Sequence, residues 1–176
     1  ASGINQDGAS NGITAPSGIA QQKLIADVYE RFGIDAERIG YVETHGTGTK
    51  LGDPVEANAL VRAFRALTSK TRYCAVGSTK SHIGHTSGSA GVIGLIGVLL
   101  SLKHRRLPAL KHFKTLNPLI EFDGSPFYPN VTEAEWRSPD GRPLMAALNS
   151  FGHSGTNAHL VVEEFVDPRG DAAPVA

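Results

Sequence analysis

Three segments rich in glycine, hydroxyl side chains and histidine each follow an apolar stretch that is typical of a buried strand. They cover residues 43–49, 77–86 and 149–159. Glycine accounts for 20 of the 176 residues, above its average usage of about 7%. In α/β sheets, sites gather beyond the carboxyl ends of the strands. The pattern therefore predicts a fold in which these three loops converge at one end of a sheet.

Strand and helix candidates alternate along the chain, which predicts an α/β domain. Helices are predicted at residues 17–32, from 53 onwards, and at 88–103. Residues 166–176 are rich in Pro, Gly and Ala and are interpreted as a linker, so the domain is expected to cover residues 1–165. The strand candidates are residues 39–44, 73–78, 127–131, 144–150 and 158–163.

Local signals mark the ends of two helices. Ser17 is expected to cap the first helix, and Gly33 is expected to end it. Asp53 precedes Pro54, which is favoured at a first helical position, so Asp53 is the predicted N-cap of the second helix. Glu56 then lies where the acid of a capping box would be.

The third helix candidate, residues 88–103, is apolar nearly all round and rich in Gly and Ala. This pattern predicts a helix buried in the centre of the fold and closely packed by its neighbours. Its longest apolar run, residues 92–102, is too short to predict a membrane span.

The charge balance and the cysteine count exclude several classes of partner and site. Lys+Arg and Asp+Glu both number 17, and this balance predicts neither a nucleic-acid nor a membrane partner. A single cysteine excludes an internal disulfide framework and favours a reducing, cytoplasmic compartment. That residue, Cys74, lies in a predicted buried strand without a cationic neighbour, so it is expected to be inert.

Each loop taken alone allows other interpretations. Residues 43–49 could form a tight turn around a structural histidine. His82 and His85 are three residues apart, as in some metal sites, but no carboxylate or cysteine pair follows at ligand spacing, so no metal is expected. Lys80 lacks the glycine pattern of a phosphate-binding loop.

The three loops taken together resemble the β-ketoacyl synthase family of the thiolase-like superfamily. The matching segments are residues 42–57, 77–91, 117–118 and 150–159, and residues 5–16 are similar to the branch found in modular polyketide synthases. The resemblance implies an α/β chain that forms the carboxy-terminal half of a thiolase-like layered αβαβα fold.

The resemblance also implies an activity, the decarboxylative Claisen condensation of an acyl thioester with malonyl-acyl carrier protein. In the family a cysteine takes the acyl group, and this nucleophile lies in the amino-terminal half. The chain is therefore expected to be incomplete alone and to need that half as a partner. The other implied partners are the acyl carrier protein and a second copy of the complete domain. No cofactor is expected to bind directly, because phosphopantetheine on the carrier holds the substrates.

The catalytic residues follow from the matched motifs. The resemblance implies that His45 and His85 donate hydrogen bonds to the malonyl thioester oxygen. It implies that Lys80 supports the second histidine electrostatically and that Glu56 pairs with this lysine. Other interpretations stay open for the last two residues, since Lys80 could belong to a structural ion pair and Glu56 could only cap its helix.

Binding and supporting roles follow in the same way. Thr47 and Thr49 would hydrogen-bond the phosphopantetheine arm, and Phe151 would contact substrate. The backbone N–H of His153 would contribute to an oxyanion hole, while Asn157 would hold the third loop in shape. His153 stands where many family members carry a gating phenylalanine, which affects the shape of the acyl pocket.

Two other functions are compatible with the sequence. The chain could be a non-catalytic domain that binds carrier protein or acts as a scaffold, or it could belong to a decarboxylase that does not condense. The retained His45, Lys80 and His85 argue against the scaffold. His159 lies on a predicted strand and is interpreted as a satisfied polar residue. A lone half is expected to expose a broad apolar face.

Overall fold

The computed structural model describes residues 1–9, 12 and 15–167 of the chain. Most of the predicted linker, residues 168–176, lies outside this part. Residues 10, 11, 13 and 14, which belong to the segment 5–16 singled out from the sequence, also lie outside it. The helices are α1 (Gly18–Phe32), α2 (Gly52–Arg65), α3 (Lys80–Ile83) and α4 (Ala90–His104). The strands are β1 (Ser2–Gln6), β2 (Ile39–Glu43), β3 (Cys74–Gly77), β4 (Arg106–Leu107), β5 (Phe127–Pro129), β6 (Ala134–Glu135), β7 (Met145–Phe151) and β8 (Thr156–Glu163).

Six of the strands form one mixed sheet in the order β1-β8-β7-β2-β3-β5. Strands β7, β2, β3 and β5 run parallel to one another, whereas β8 is antiparallel to both of its neighbours. Strands β4 and β6 form a separate antiparallel pair. The predicted α/β class is confirmed.

Helices cover both faces of this sheet because successive strand residues point to opposite sides. Val42 belongs to one core cluster, which is built with α1 and α2. The preceding residue, Tyr41, belongs to a second cluster that contains Val98 and Leu102 of α4. The sheet therefore lies between α1 and α2 on one side and α4 on the other.

The predicted ends of α1 are confirmed. The Ser17 hydroxyl accepts a hydrogen bond from the Ala20 N–H at 3.3 Å. Gly33 follows the helix in the left-handed conformation at φ 62°, which glycine adopts without strain. Asp35 caps the next short 3₁₀ turn by accepting from the Glu37 N–H.

The predicted start of α2 is wrong. The helix begins at Gly52, and Asp53 points back to the preceding loop, where its Oδ1 accepts from the Gly48 N–H at 3.0 Å. The Gly52 N–H is satisfied by the Thr49 hydroxyl at 3.0 Å. An Asp-Pro pair is a local signal for a helix start, but here the aspartate stabilises the loop instead.

Helix α4 is buried on one face only, so the prediction of a central helix packed all round is wrong for this chain. Its inner face rests on β7. The opposite face consists of residues spaced at i, i+4, i+7 and i+8, and these are about half exposed because no residue in the described part of the chain covers them. They are Val92 at 62%, Ile96 at 51%, Leu99 at 49% and Leu100 at 50%. The expectation of a broad exposed apolar face is confirmed.

The window Ser87–His104 is long and apolar enough to cross a membrane when judged by length and composition alone. Sequence inspection of residues 92–102 underestimated this length. Core helices of soluble proteins pass the same test, and the inner face of α4 lies against β7 in the sheet. One face of this helix is therefore packed on the sheet, while only 28% of the window is buried.

Truncation of an aromatic side chain in the core between α1, α2 and the sheet should destabilise the chain strongly. Phe64 is fully buried, with ring centroids 5.2 Å from Tyr29 and 4.8 Å from Phe127. We expect Phe64→Ala to lower the free energy of unfolding by about 3–5 kcal/mol. Urea denaturation followed by circular dichroism measures this. Phe32→Ala is the control, since Phe32 is 48% exposed, and an equal loss in both variants would contradict the assigned core.

Candidate active site

The three glycine-rich loops meet at one end of the sheet, as predicted, because β2, β3 and β7 are neighbouring parallel strands. Together they border a cavity of about 1010 Å³. Eight of the nine residues singled out from the sequence line it. They are His45, Thr47, Thr49, Glu56, His85, Phe151, His153 and Asn157. The ninth, Lys80, does not.

The two histidines of the cavity are close together. The ring centroids of His45 and His85 are 5.6 Å apart and the ring planes are nearly perpendicular, at 84°. Phe151 packs beside His45, with 5.7 Å between the ring centroids. Two rings at this separation can both donate a hydrogen bond to one oxygen atom placed between them.

Local backbone geometry determines which nitrogen of His85 can donate. The Ser87 N–H donates to His85 Nδ1 at 3.0 Å. Ser87 holds this position in the left-handed conformation, at φ 52°. In neutral imidazole one nitrogen accepts and the other donates, so this contact leaves the proton on Nε2. His85 is therefore prepared to donate from Nε2.

Burial keeps His45 neutral. The pKa of this imidazole is lowered to about 4, first because burial disfavours the charged ring and then because Lys80 and His85 oppose a positive charge at this place. Among the described residues, His45 Nδ1 is buried without a hydrogen-bond partner. At neutral pH the ring can thus donate a hydrogen bond but carries no charge.

The position of His45 depends on Glu56. This buried carboxylate accepts the backbone N–H of His45 at 2.7 Å, the backbone N–H of Gly46 at 2.9 Å and the amide of Asn149 at 2.9 Å. It does not act as the acid of a capping box, and that prediction is wrong. Burial raises the pKa of Glu56, while the three donors oppose this shift by stabilising the carboxylate.

The turn after His45 requires glycine. Gly46 has a φ of 44°, in the region that side chains disfavour. A Cβ atom at this position would lie 2.7 Å from the Thr44 hydroxyl oxygen and 3.0 Å from Ser78 Oγ. The backbone of the His45 loop can therefore approach Glu56 only without a side chain at Gly46.

Lys80 lines a second cavity, of about 630 Å³, which shares Thr47, Glu56 and His85 with the first cavity. Burial is the main reason that its pKa is lowered, while the negative charges of Glu43 and then Glu56 favour its charged form. Among the described residues, no carboxylate lies within the 4.0 Å of an ion pair with Lys80. The expected pairing of Lys80 with Glu56 is thus not a direct contact.

Glu43 is a site residue that the sequence analysis missed. Its carboxylate accepts from the Thr79 N–H at 2.6 Å, the Thr79 hydroxyl at 2.8 Å and the Tyr41 hydroxyl at 2.8 Å. Burial raises its pKa. The available signal was an acid at the end of an otherwise apolar strand, directly before the His45 loop. Glu43 links that loop to the one that carries Lys80.

Asn157 holds the third loop against the first strand. Its side-chain amide donates to Asp7 Oδ1 at 2.7 Å and to Asn5 Oδ1 at 3.1 Å. The loop is closed by the Gly152 N–H, which donates to the Thr156 carbonyl oxygen at 2.6 Å. His153 projects from this loop as an exposed residue on the cavity wall.

The remaining polar residues of the first loop face the same cavity. The hydroxyl oxygens of Thr47 and Thr49 are 3.1 Å apart and both residues are exposed.

Cys74 lies away from the cavity in β3, where burial raises its thiol pKa well above the usual value. Within the described part of the chain, no group of three or more His, Cys, Asp or Glu residues is arranged to hold a metal ion.

Comparison with known proteins decides which family carries this arrangement. The family model described as "Beta-ketoacyl synthase, C-terminal domain" matches residues 1–114. The chain belongs to this family. The match covers the loops of His45, Lys80 and His85, and the relatives described next extend the similarity through the third loop.

Polyketide synthases are the curated relatives of this ketosynthase domain. Polyketide synthase PksL of Bacillus subtilis (strain 168) is 53% identical over 164 residues, which is 93% of this chain and 4% of that protein. Erythronolide synthase EryA3 of Saccharopolyspora erythraea is 44% identical over 179 residues, covering 99% of this chain and 6% of that protein. The chain thus spans only a small part of these relatives.

Solved ketosynthases share the fold. The ketosynthase from module 6 of the bacillaene synthase of Bacillus subtilis 168 has a TM-score of 0.92 and 53% identity, covering 94% of this chain and 30% of that one. Ketosynthase twelve from the bacillaene polyketide synthase of Bacillus amyloliquefaciens has a TM-score of 0.90 and 42% identity, covering 94% and 29%. The thiolase-like layered fold expected from the sequence is confirmed.

The protonation of His45 can be measured directly. We expect its imidazole to remain neutral as the pH falls from 8 to 5, because its pKa is about 4 rather than the ordinary value of about 6.5. Nitrogen-15 NMR of the histidine rings, assigned with His45→Ala, measures this. Lys80→Met should raise the pKa of His45 but leave it below 6.5, since burial is the larger cause. Titration of His45 near pH 6.5 would contradict the assigned environment.

Proposed function

We propose that this chain supplies the decarboxylation half of a polyketide β-ketoacyl synthase active site. The complete enzyme would be an acyltransferase that condenses an acyl thioester, held on a cysteine outside this chain, with a malonyl unit on an acyl carrier protein. The observation that carries the proposal is the pair of imidazoles 5.6 Å apart on the wall of one cavity. The family membership and the ketosynthase neighbours support it.

The chemistry breaks one carbon–carbon bond and forms another. The bond between the malonyl α-carbon and its carboxylate breaks, carbon dioxide leaves, and the electron pair is delocalised onto the thioester oxygen as an enolate. The α-carbon then attacks the carbonyl carbon of the acyl-cysteine thioester. That C–S bond breaks, and the cysteine leaves as a thiolate.

His45 and His85 stabilise the negative charge on the thioester oxygen. A neutral imidazole suits this role, because it donates a hydrogen bond without itself pairing with the malonyl carboxylate that must leave. The lowered pKa of His45 and the contact that leaves the proton on Nε2 of His85 both support it. Fixed donors aimed at a developing oxyanion lower the barrier by a few kcal/mol each.

The other residues orient the substrates. Thr47 and Thr49 hydrogen-bond the phosphopantetheine arm that the carrier protein brings into the cavity, and Phe151 borders the reacting thioester beside His45. The His153 backbone N–H contributes to the oxyanion hole for acyl transfer, and Asn157 keeps that loop closed. Lys80 acts on His45 and His85 through its charge, without lining the first cavity.

An amino-terminal ketosynthase half would cover the exposed face of α4. Four large apolar side chains on one helix face need a partner or lead to aggregation. The solved ketosynthases are about three times as long as this chain, since it covers 30% of the chain from module 6. The same half would bring the cysteine. A homodimer of the complete domain is part of this proposal.

Removal of either histidine should slow malonyl decarboxylation much more than acyl loading of the cysteine. In the complete ketosynthase that carries this chain, we expect His45→Ala and His85→Ala each to slow malonyl decarboxylation about 10²–10³-fold. Acyl loading should change much less, because it requires the cysteine and the backbone donors. Release of labelled carbon dioxide and mass spectrometry of the acyl-enzyme measure the two steps.

Cys74→Ser is the matched control for that experiment, because Cys74 is buried in β3 and lines neither cavity. It should leave both steps close to the unsubstituted rates. Equal losses of loading and decarboxylation in the histidine variants would contradict the assigned roles. Decarboxylation without any condensed product in the unsubstituted enzyme would instead identify a decarboxylase.

The chain by itself should be inactive. We expect no acyl loading and no condensation when it is incubated with acyl and malonyl carrier proteins, because Cys74 is buried and has a raised pKa. Adding an amino-terminal ketosynthase half should produce the condensed β-ketoacyl carrier protein, detected by intact-protein mass spectrometry. Product formed without that half would overturn the proposal.

A further inference from the structure

A buried chain of hydrogen bonds leads from strand β8 to the His45 loop. His159 on β8 contacts Asn149 on β7, with Nδ1 and Oδ1 2.6 Å apart. The amide of Asn149 donates to Glu56 at 2.9 Å. Glu56 in turn accepts the backbone N–H groups of His45 and Gly46.

All of the side chains in this series are removed from solvent. His159 is 0% exposed, Asn149 2% and Glu56 4%. A buried polar group must satisfy its hydrogen bonds internally, so each of these residues depends on its neighbour. The chain is thus a connected network rather than a set of separate surface contacts.

The donors of this network all point toward Glu56. A carboxylate only accepts, so Asn149 must turn its NH₂ group to Glu56 and its oxygen to His159. That orientation requires a proton on His159 Nδ1, so Nε2 carries no proton in the neutral ring. His159 Nε2 is indeed buried without a partner among the described residues. Protonating it would bury an unpaired charge, so the ring stays neutral.

The stacking of His159 holds the first donor in place. Its ring lies 5.7 Å from that of Tyr29 on α1, measured between centroids. Asn149 is also held by its backbone position in β7, where it lies directly opposite His159 of β8, one residue beyond the last pair between β7 and β2. Glu56 therefore receives a hydrogen bond of defined direction from the sheet, while its remaining lone pairs hold the catalytic loop.

We propose that Asn149 and His159 are positioning residues, which fix His45 by orienting the Glu56 carboxylate. The inference rests on the proposed function, in that it takes His45 to be a donor to the thioester oxygen. Neither residue lines the cavity or touches substrate. Loss of the network would leave His45 chemically intact but let its loop move, and the decarboxylation rate would fall.

Three substitutions at His159, made in the complete ketosynthase, separate positioning from simple packing. His159→Asn places an amide NH₂ close to the position of Nδ1 and can still donate to Asn149. His159→Gln carries the same group about one bond further out, near the position of Nε2. His159→Leu cannot donate at all.

The expected results follow from where each substituted side chain places its hydrogen-bond donor. The rate constant kcat for malonyl decarboxylation should fall at least tenfold in His159→Leu and His159→Gln, and His159→Asn should recover most of it. The KM for malonyl carrier protein and the rate of acyl loading should stay nearly unchanged. Hydrogen–deuterium exchange in peptides covering residues 44–48 should be faster in the Leu and Gln variants than in the Asn variant.

Two outcomes would overturn the inference. One is an unchanged kcat in a folded His159→Leu variant. The other is equal kcat values for the Asn and Gln variants, which decides the matter even where the Leu variant does not fold. His45→Ala is run in parallel. If it leaves decarboxylation intact, the proposed function fails, whereas a slow His45→Ala beside an unaffected His159 series overturns only the positioning role.

Discussion

A single buried carboxylate organises this domain's candidate active site. Glu56 accepts two consecutive backbone N–H groups of the His45 loop and the side-chain amide of Asn149. Burying a charge is unfavourable unless several donors compensate for it. Three donors converge on Glu56, and each comes from a part of the chain that must adopt its native position to reach it. The carboxylate thus connects helix α2, the His45 loop and strand β7.

Two neighbouring cavities border the His45 loop and share Thr47, Glu56 and His85. His45, His85 and Phe151 line the first of them. Lys80 lines only the second cavity, and its positive charge contributes, after burial, to the low pKa of His45. A charge outside the first cavity can therefore add to the effect of burial in keeping His45 neutral, without taking up space in that cavity.

Local chemical signals in the sequence predicted local structure well. Ser17 and Gly33 were recognised because a cap depends on residues within one helical turn. The site loops were recognised from their motifs, and their convergence followed from the α/β pattern. The interpretation of Asp53 and Glu56 as helix caps failed because the same residues satisfy more distant backbone groups. The partners of Glu56 lie 10, 11 and 93 positions away, and no local pattern reveals them.

The exposure of α4 could not be deduced from composition for a related reason. A helix that is apolar all round predicts burial, but the sequence does not say which polypeptide provides the covering surface. In this chain β7 covers Gly94 and Val98, while Ile96 and Leu100 remain half exposed. His159 was interpreted as an ordinary satisfied strand residue, since its link to Glu56 passes through Asn149 on another strand.

The order of strands in the sheet has a consequence for how the protein acquires its active form. Strand β7 lies between β2 and β8, and its Ala147 pairs with Val42, far away along the chain. Contacts between such distant segments form slowly, because the long intervening loop must first be closed. During synthesis both histidine loops leave the ribosome before Asn149 exists to hold Glu56. Rigidity of the His45 loop is therefore gained late in folding, after both histidine loops have already been made.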